Sequence, residues 1–175
     1  SISQISQNPS QALVLPPCSE VSPGVPASSA QLAGMKACGI TLIGFVSHKD
    51  IDRVHAAGMR SMVNDARADG YDWTNVDAAK AKENITSLVK EVGNKPGVFG
   101  YFLDDEPNAS QFAGLGTVSK LLHEIAPSKV AFINLLPNYA TAGQLGTATY
   151  PDYLDKFADG CAPTIYCYDH YALLD

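Results

Sequence analysis

Short apolar segments alternate with longer segments of helical periodicity along nearly the whole chain. The apolar segments resemble strands, and they are predicted at residues 11–16, 40–46, 59–65, 98–108, 129–138 and 164–174. The segments between them have helical spacing, and several end in glycine, as in residues 28–39, 49–58, 75–93, 110–128 and 150–160. Units of about 25 to 30 residues in this order are typical of parallel strands joined by right-handed helical crossovers.

Two architectures fit this alternation, a doubly wound open sheet and a (β/α)8 barrel. A dinucleotide-binding open sheet usually has GxGxxG after its first strand, but residues 16–26 read PPCSEVSPGVP. Polar residues instead follow successive predicted strands, at the end where a barrel has its active site. They are Ser47, His48, Asn64, Asp65, Asp104 to Asn108, Asn134, Asn138, Asp169 and His170. The sequence therefore predicts an α/β fold of the (β/α)8 TIM-barrel type, incomplete, with about six β/α units in residues 11–175 after a polar segment at 1–10.

The charge balance and the cysteine spacing exclude several classes of function. Acidic residues exceed basic ones by 18 to 12, which disfavours nucleic acid as a partner because such proteins present a basic surface. No apolar run approaches the length of about 18 residues that a membrane-spanning helix needs. Cys18, Cys38, Cys161 and Cys167 form no CxxC pair, which argues against a zinc site and leaves free thiols and disulfides both open.

Two tripeptides match the acceptor pattern for N-linked glycosylation, at Asn84 and Asn108. They favour a secreted, extracellular protein, although such tripeptides are also common by chance. A glycan on Asn108 would lie two residues from Glu106, which argues against use of that site.

The most unusual feature of the sequence is Asp104-Asp105-Glu106-Pro107-Asn108 at the end of an apolar strand. One interpretation is structural: a solvated acidic turn, with Asn108 or Ser110 capping the next helix. The other is a proton donor. A carboxyl group among negative neighbours has a raised pKa, so it can hold a proton near neutral pH and deliver it to a leaving group.

Four segments together resemble the barrel-type glycoside hydrolases of the clan whose acid/base glutamate ends the fourth strand, commonly within Asn-Glu-Pro. They are GYFLDDEPN (100–108), AFINLLPNY (131–139), YLDKF (153–157) and TIYCYDHY (164–171). The resemblance covers most of the chain, and it implies a barrel fold, a carbohydrate substrate and Glu106 as general acid/base.

The sequence also departs from that clan in two ways. Asp105 stands where the clan usually has an asparagine that hydrogen-bonds a sugar hydroxyl, and an ionised aspartate can accept from a hydroxyl but cannot donate. The clan's second carboxylate ends the seventh strand, whereas this sequence has six predicted strands. Asp65, Asp169 and Asp175 are the other carboxylates at strand ends, and none matches that position. We therefore expect either a fragment of a longer enzyme or a shortened barrel with another role.

Other candidates for sugar contact follow the remaining strands. Asn64, Asn134 and Asn138 carry amides that suit hydroxyl groups, while Tyr168 and His170 offer rings for stacking or hydrogen bonding. Each has a structural alternative: turn formation or a polar cluster for the asparagines, and ordinary packing for the rings.

Three hypotheses follow. The first is a secreted glycoside hydrolase, or a fragment of one, that cleaves O-glycosidic bonds of a poly- or oligosaccharide through Glu106, without metal or cofactor. The alternative is a non-catalytic carbohydrate-binding or structural protein in which a second chain or an oligomer covers the open sheet edge. A metal-dependent hydrolase or lyase using the acidic cluster is the third, and fold alone does not choose among them.

Overall fold

The computed structural model describes residues 28–170, which form one sheet of five parallel strands that alternate with helices. The strands are β1 (Leu42–Ser47), β2 (Arg60–Asn64), β3 (Val98–Asp105), β4 (Val130–Leu135) and β5 (Cys167–Tyr168). The helices are α1 (Ser29–Ala37), α2 (Ile51–Ala56), α3 (Ala66–Asp69), α4 (Ala78–Val92), α5 (Phe112–Ile125), α6 (Ala142–Leu145) and α7 (Tyr150–Cys161). Each strand pairs with the next one along the chain. This sequential order lacks the reversal of a doubly wound sheet and is the order found in part of a barrel.

The predicted α/β alternation is confirmed across the described residues, with differences at strand ends. The first predicted strand, 11–16, lies outside the described residues. Of the predicted strand 164–174, only Cys167–Tyr168 pairs with β4 among the described residues, because residues 164 and 165 bend and β4 ends at Leu135. The predicted strand 98–108 ends earlier, at Asp105. Glu106 has a backbone φ of 52°, which turns the chain out of the sheet.

Both faces of the sheet are buried, as the apolar strands predict. Ser61 and Val63 of β2 point to the helix-covered face, while Met62 between them points to the other face. On that second face Met62 packs with Leu42, Phe102 and Phe132. The Phe102 ring lies 5.9 Å from the Phe132 ring, centroid to centroid. In a complete barrel this face forms the interior.

Helix α5 approaches its neighbours closely at two glycines. A Cβ atom at Gly116 would lie 2.1 Å from the carbonyl oxygen of Gly160 in α7. A Cβ atom at Gly114 would lie 2.1 Å from the carbonyl oxygen of Trp73. Any larger residue at either position therefore forces the backbones apart.

Candidate active site

The carboxyl ends of β3, β4 and β5 bring together polar residues from distant parts of the chain. Asp105 of β3 pairs in register with Asn134 of β4, and Asn134 pairs with Cys167 of β5. Beyond β5, the backbone N–H of Asp169 donates to the carbonyl oxygen of Leu135 at 3.0 Å. The polar residues predicted at these three strand ends therefore meet at one edge of the sheet, where a barrel has its mouth.

The Asn134 side chain lies at the centre of this group and is 8% exposed. Its Nδ2 donates to Asp105 Oδ1 at 2.8 Å and to Asp169 Oδ1 at 2.9 Å. Its Oδ1 accepts from the Cys167 thiol at 3.3 Å. The opposite amide orientation would place the carbonyl oxygen against two carboxylates, so the charges around Asn134 fix its orientation.

Glu106 lies beside these carboxylates, and its backbone N–H donates to the carbonyl oxygen of Asn134 at 2.8 Å. Its side chain is hydrogen-bonded to Asp169. Partial desolvation raises the pKa of Glu106, and the hydrogen bond to Asp169 and the negative charges of Asp169 and Asp105 raise it further. Glu106 therefore keeps a proton at a higher pH than an ordinary glutamic acid.

The backbone of Glu106 adopts the left-handed conformation that favours glycine, which is uncommon for a glutamate. The following residue is held in place by helix α7, since the Tyr153 hydroxyl donates to the carbonyl oxygen of Pro107 at 2.7 Å. Tyr153 itself is fully buried. Unfavourable backbone conformations persist where the surrounding structure enforces them, and they cluster at functional sites.

A second acidic pair lies around Asp104 and Asp69. Burial raises the pKa of Asp104, as do the charges of Asp105 and Asp69, and burial likewise raises the pKa of Asp69. The Asn64 amide donates to Asp69, so this predicted sugar-binding residue has a protein partner here. Gln111 Nε2 donates to Asp104 at 3.3 Å.

Asp65 at the end of β2 belongs to an ionic cluster. His48 Nδ1 lies 2.7 Å from its Oδ2, and Arg67 Nε lies 2.9 Å from its Oδ1. Although burial alone would raise the pKa of Asp65, the hydrogen bonds and charge of Arg67, with the charge of His48, bring it below its ordinary value. Asp65 also caps α3 through the backbone N–H of Arg67. Asp65 therefore has a structural role in this polar cluster and as the cap of α3.

Exposed aromatic rings lie at or beyond the carboxyl ends of β4 and β5. Tyr168 is 55% exposed, and Tyr139, which the sequence did not single out, is 45% exposed. The ring of Tyr139 lies 6.5 Å from the ring of His170. Asn138, on the same loop as Tyr139, is exposed. Trp73, in contrast, is buried in the core rather than presented as a platform for a sugar.

Both predicted glycosylation acceptors already use their amide groups. Asn108 Nδ2 donates to the carbonyl oxygens of Gly143 and Gln144 at 3.2 and 2.8 Å. Its Oδ1 accepts from the backbone N–H of Ser110 and caps the 3-10 turn Ala109–Gln111, which confirms the capping interpretation. Asn84 Nδ2 donates more weakly, to the Tyr71 hydroxyl at 3.4 Å. Glycosylation at either position stays a prediction.

Within residues 28–170, no disulfide links Cys38, Cys161 and Cys167 to one another. The same part of the chain contains no group of three His, Cys, Asp or Glu side chains arranged to hold a metal ion. None of its helices has both the length and the hydrophobicity needed to cross a membrane.

No known protein family and no curated protein matches this sequence. Solved structures do resemble the fold. A β-galactosidase from the psychrophilic Marinomonas ef1 aligns over 83% of this chain and 39% of its own, with a TM-score of 0.54 and 9% identity. A β-glucuronidase from Parabacteroides merdae aligns over 83% of this chain and 18% of its own, with a TM-score of 0.51 and 13% identity. An arginine decarboxylase from Paramecium bursaria Chlorella virus aligns over 80% of this chain and 42% of its own, with a TM-score of 0.50 and 14% identity.

These similarities show the fold alone, which is that of part of a TIM barrel. The chain spans less than half the length of each of the three proteins. Two glycosidases and a decarboxylase share this fold, so the fold does not choose the reaction.

The contact between Glu106 and Asp169 does not follow from the sequence, although both residues lie at the ends of predicted strands. The support that Tyr153 gives to Pro107 does not follow from the sequence either. The only available signal was the position of Asp169 immediately after a predicted strand, which brings it to the same edge as Glu106.

Proposed function

We propose that this chain carries the proton-donating side of a glycoside hydrolase site, in which Glu106 protonates the oxygen of an O-glycosidic bond. The observation that carries the proposal is the position of Glu106 at the carboxyl edge of the sheet, where its backbone N–H donates to Asn134 and its side chain lies beside Asp105 and Asp169. Desolvation and these neighbours raise the pKa of Glu106. A general acid must still hold its proton at the working pH, and these surroundings favour that state.

The second carboxylate of such a site is not Asp169 in this arrangement. Glycosidases hold their two carboxyl groups about 5 to 5.5 Å apart in retaining enzymes and about 6.5 to 9.5 Å apart in inverting ones. Asp169 is instead a hydrogen-bond partner of Glu106, so these two carboxyl groups are closer together than either separation. In our proposal the nucleophile or base comes from outside residues 28–170.

The charges at the site favour an uncharged sugar. Asp105 and Asp169 lie beside Glu106, and their negative charges repel an anionic substrate such as a glucuronide. A galactoside or glucoside carries no such charge. In this proposal Tyr168, His170 and the exposed amide of Asn138 contact the sugar, and the protein is secreted.

A second candidate function is carbohydrate binding without hydrolysis. The contact between Glu106 and Asp169 favours it, because these two carboxyl groups lie too close together to act on opposite sides of a scissile bond. A second chain or a second copy would then cover the edge of the sheet.

The test uses the complete natural polypeptide with 4-nitrophenyl β-galactoside and β-glucoside, and with the corresponding glucuronide as a charged comparison. We expect release of nitrophenol from a neutral glycoside and little from the glucuronide. A mock preparation from host cells without the gene, purified in the same way, reports any contaminating glycosidase. Calorimetric binding of methyl glycosides without any cleavage would contradict the hydrolase and support the binding protein.

A further inference from the structure

We infer that Asp169 is a positioning residue that keeps the acidic proton on Glu106, and that Asn134 assigns Asp169 the role of proton acceptor. The inference deepens the proposed function and rests on it for its catalytic meaning, whereas the contacts themselves can be tested without any substrate.

The side chains of Glu106 and Asp169 form a hydrogen bond between two carboxyl groups. Glu106 and Asp169 can share a hydrogen bond only if one of them carries a proton, because two carboxylates have no donor between them. The location of that proton decides whether Glu106 can act as an acid.

The hydrogen bonds that Asn134 donates determine which carboxyl group carries the shared proton. Its Nδ2 donates one hydrogen to Asp169 and the other to Asp105, at 2.9 and 2.8 Å. A donated hydrogen bond stabilises the ionised form of a carboxyl group. Asp169 and Asp105 each receive such a bond, and Glu106 receives none from Asn134, so the shared proton resides on Glu106.

Asp169 is also fixed in space. Its backbone N–H donates to Leu135, and its neighbour Tyr168 pairs with the same residue at the end of β4. The buried amide of Asn134 is in turn held by the Cys167 thiol. The acceptor therefore does not follow Glu106 if that side chain moves, and it defines one orientation for the Glu106 proton.

The titratable groups that act on Glu106 come from three elements. Asp105 on β3 and Asp169 after β5 both add negative charge beside it. Tyr153 on α7 is neutral, since burial raises its pKa above the ordinary value. Partial desolvation is the first cause of the raised pKa of Glu106, and within residues 28–170 the negative charge beside it comes from Asp169, which is also its hydrogen-bond partner, and from Asp105.

The experiment follows Glu106 by carboxyl 13C NMR in the complete protein labelled at glutamate and aspartate, with the signal assigned by its loss in Glu106→Gln. In the wild type, we expect Glu106 to titrate above its ordinary pKa. In Asp169→Asn the midpoint should move to lower pH, because the charge is gone and the new amide can donate to ionised Glu106. Asp155→Asn, an exposed change of the same type on α7, should leave the midpoint unchanged.

An ordinary midpoint for Glu106 in the wild type, or an unchanged midpoint in a folded Asp169→Asn protein, would overturn the inference. If Asp169→Asn does not fold, the midpoint of Glu106 in the wild type remains the test. With a cleavable glycoside, the alkaline limb of kcat/KM should shift to lower pH in Asp169→Asn, whereas a purely structural role would change kcat or KM without moving the limb. A shifted NMR midpoint without any glycosidase activity would refute the proposed function and leave the contact intact.

Discussion

Replacement of Glu106 by glutamine is expected to reduce kcat/KM for a methyl glycoside by about 100- to 10,000-fold, the usual contribution of a general acid. The same change should reduce kcat/KM for a 2,4-dinitrophenyl glycoside of the same sugar by less than about tenfold, because that leaving group departs without a proton. The ratio of the two losses, measured by steady-state kinetics, isolates proton donation from sugar binding.

Glu124→Gln is the matched control for this experiment. Glu124 is exposed on α5, and its replacement removes the same charge with the same change of shape. We expect both substrates to be cleaved at the wild-type rate by this variant. Equal losses for both substrates in Glu106→Gln would contradict a role in proton donation. Because the Glu106 side chain is exposed, the free energy of unfolding should change by less than about 1 kcal/mol.

Replacement of Gly116 by alanine is expected to be the most damaging small substitution in the described helices. The new Cβ atom would lie 2.1 Å from the carbonyl oxygen of Gly160, so α5 and α7 must separate. Overpacking of this kind costs about 3 kcal/mol or more when backbone atoms must move. For a chain of this size, the melting temperature should fall on the order of 10 °C.

Gly34→Ala is the control, because it makes the same chemical change within α1, where the new Cβ atom would meet nothing within 4 Å. Here we expect a gain of about 0.5 to 1 kcal/mol, since alanine loses less conformational freedom than glycine. Urea unfolding followed by circular dichroism measures both variants. A Gly116→Ala protein as stable as the wild type would show that α5 and α7 are not in backbone contact.

Much of the fold follows from periodicity in the sequence. The helix predicted at 75–93 is α4, and its buried residues Ala81, Ile85, Leu88 and Val92 recur at helical spacing. The short helices α3 and α6 were missed because four residues are too few to show a helical period. Glycine disfavours a helix by propensity, so the sequence does not explain the glycines of α5. Their contacts with Gly160 and Trp73 depend on tertiary packing.

The candidate site was only partly predictable. The carboxylate run 104–106 marked the edge of the sheet, and the rule that parallel strands end together placed Asn134 and Asp169 near it. The sequence could not show that the Asn134 amide faces two carboxylates, or that Asp169 contacts Glu106. Those contacts depend on the register between strands and on side-chain orientation, which no local pattern contains.

The pH dependence of kcat/KM for an unactivated neutral glycoside tests the central claim most directly. A general acid works only while protonated, so activity should fall as pH rises through the raised pKa of Glu106. We predict an alkaline limb whose midpoint lies above the ordinary range for glutamic acid and which is absent with the 2,4-dinitrophenyl glycoside. A limb at the same pH with both substrates, or one that persists in Glu106→Gln, would contradict the assignment of Glu106 as the proton donor.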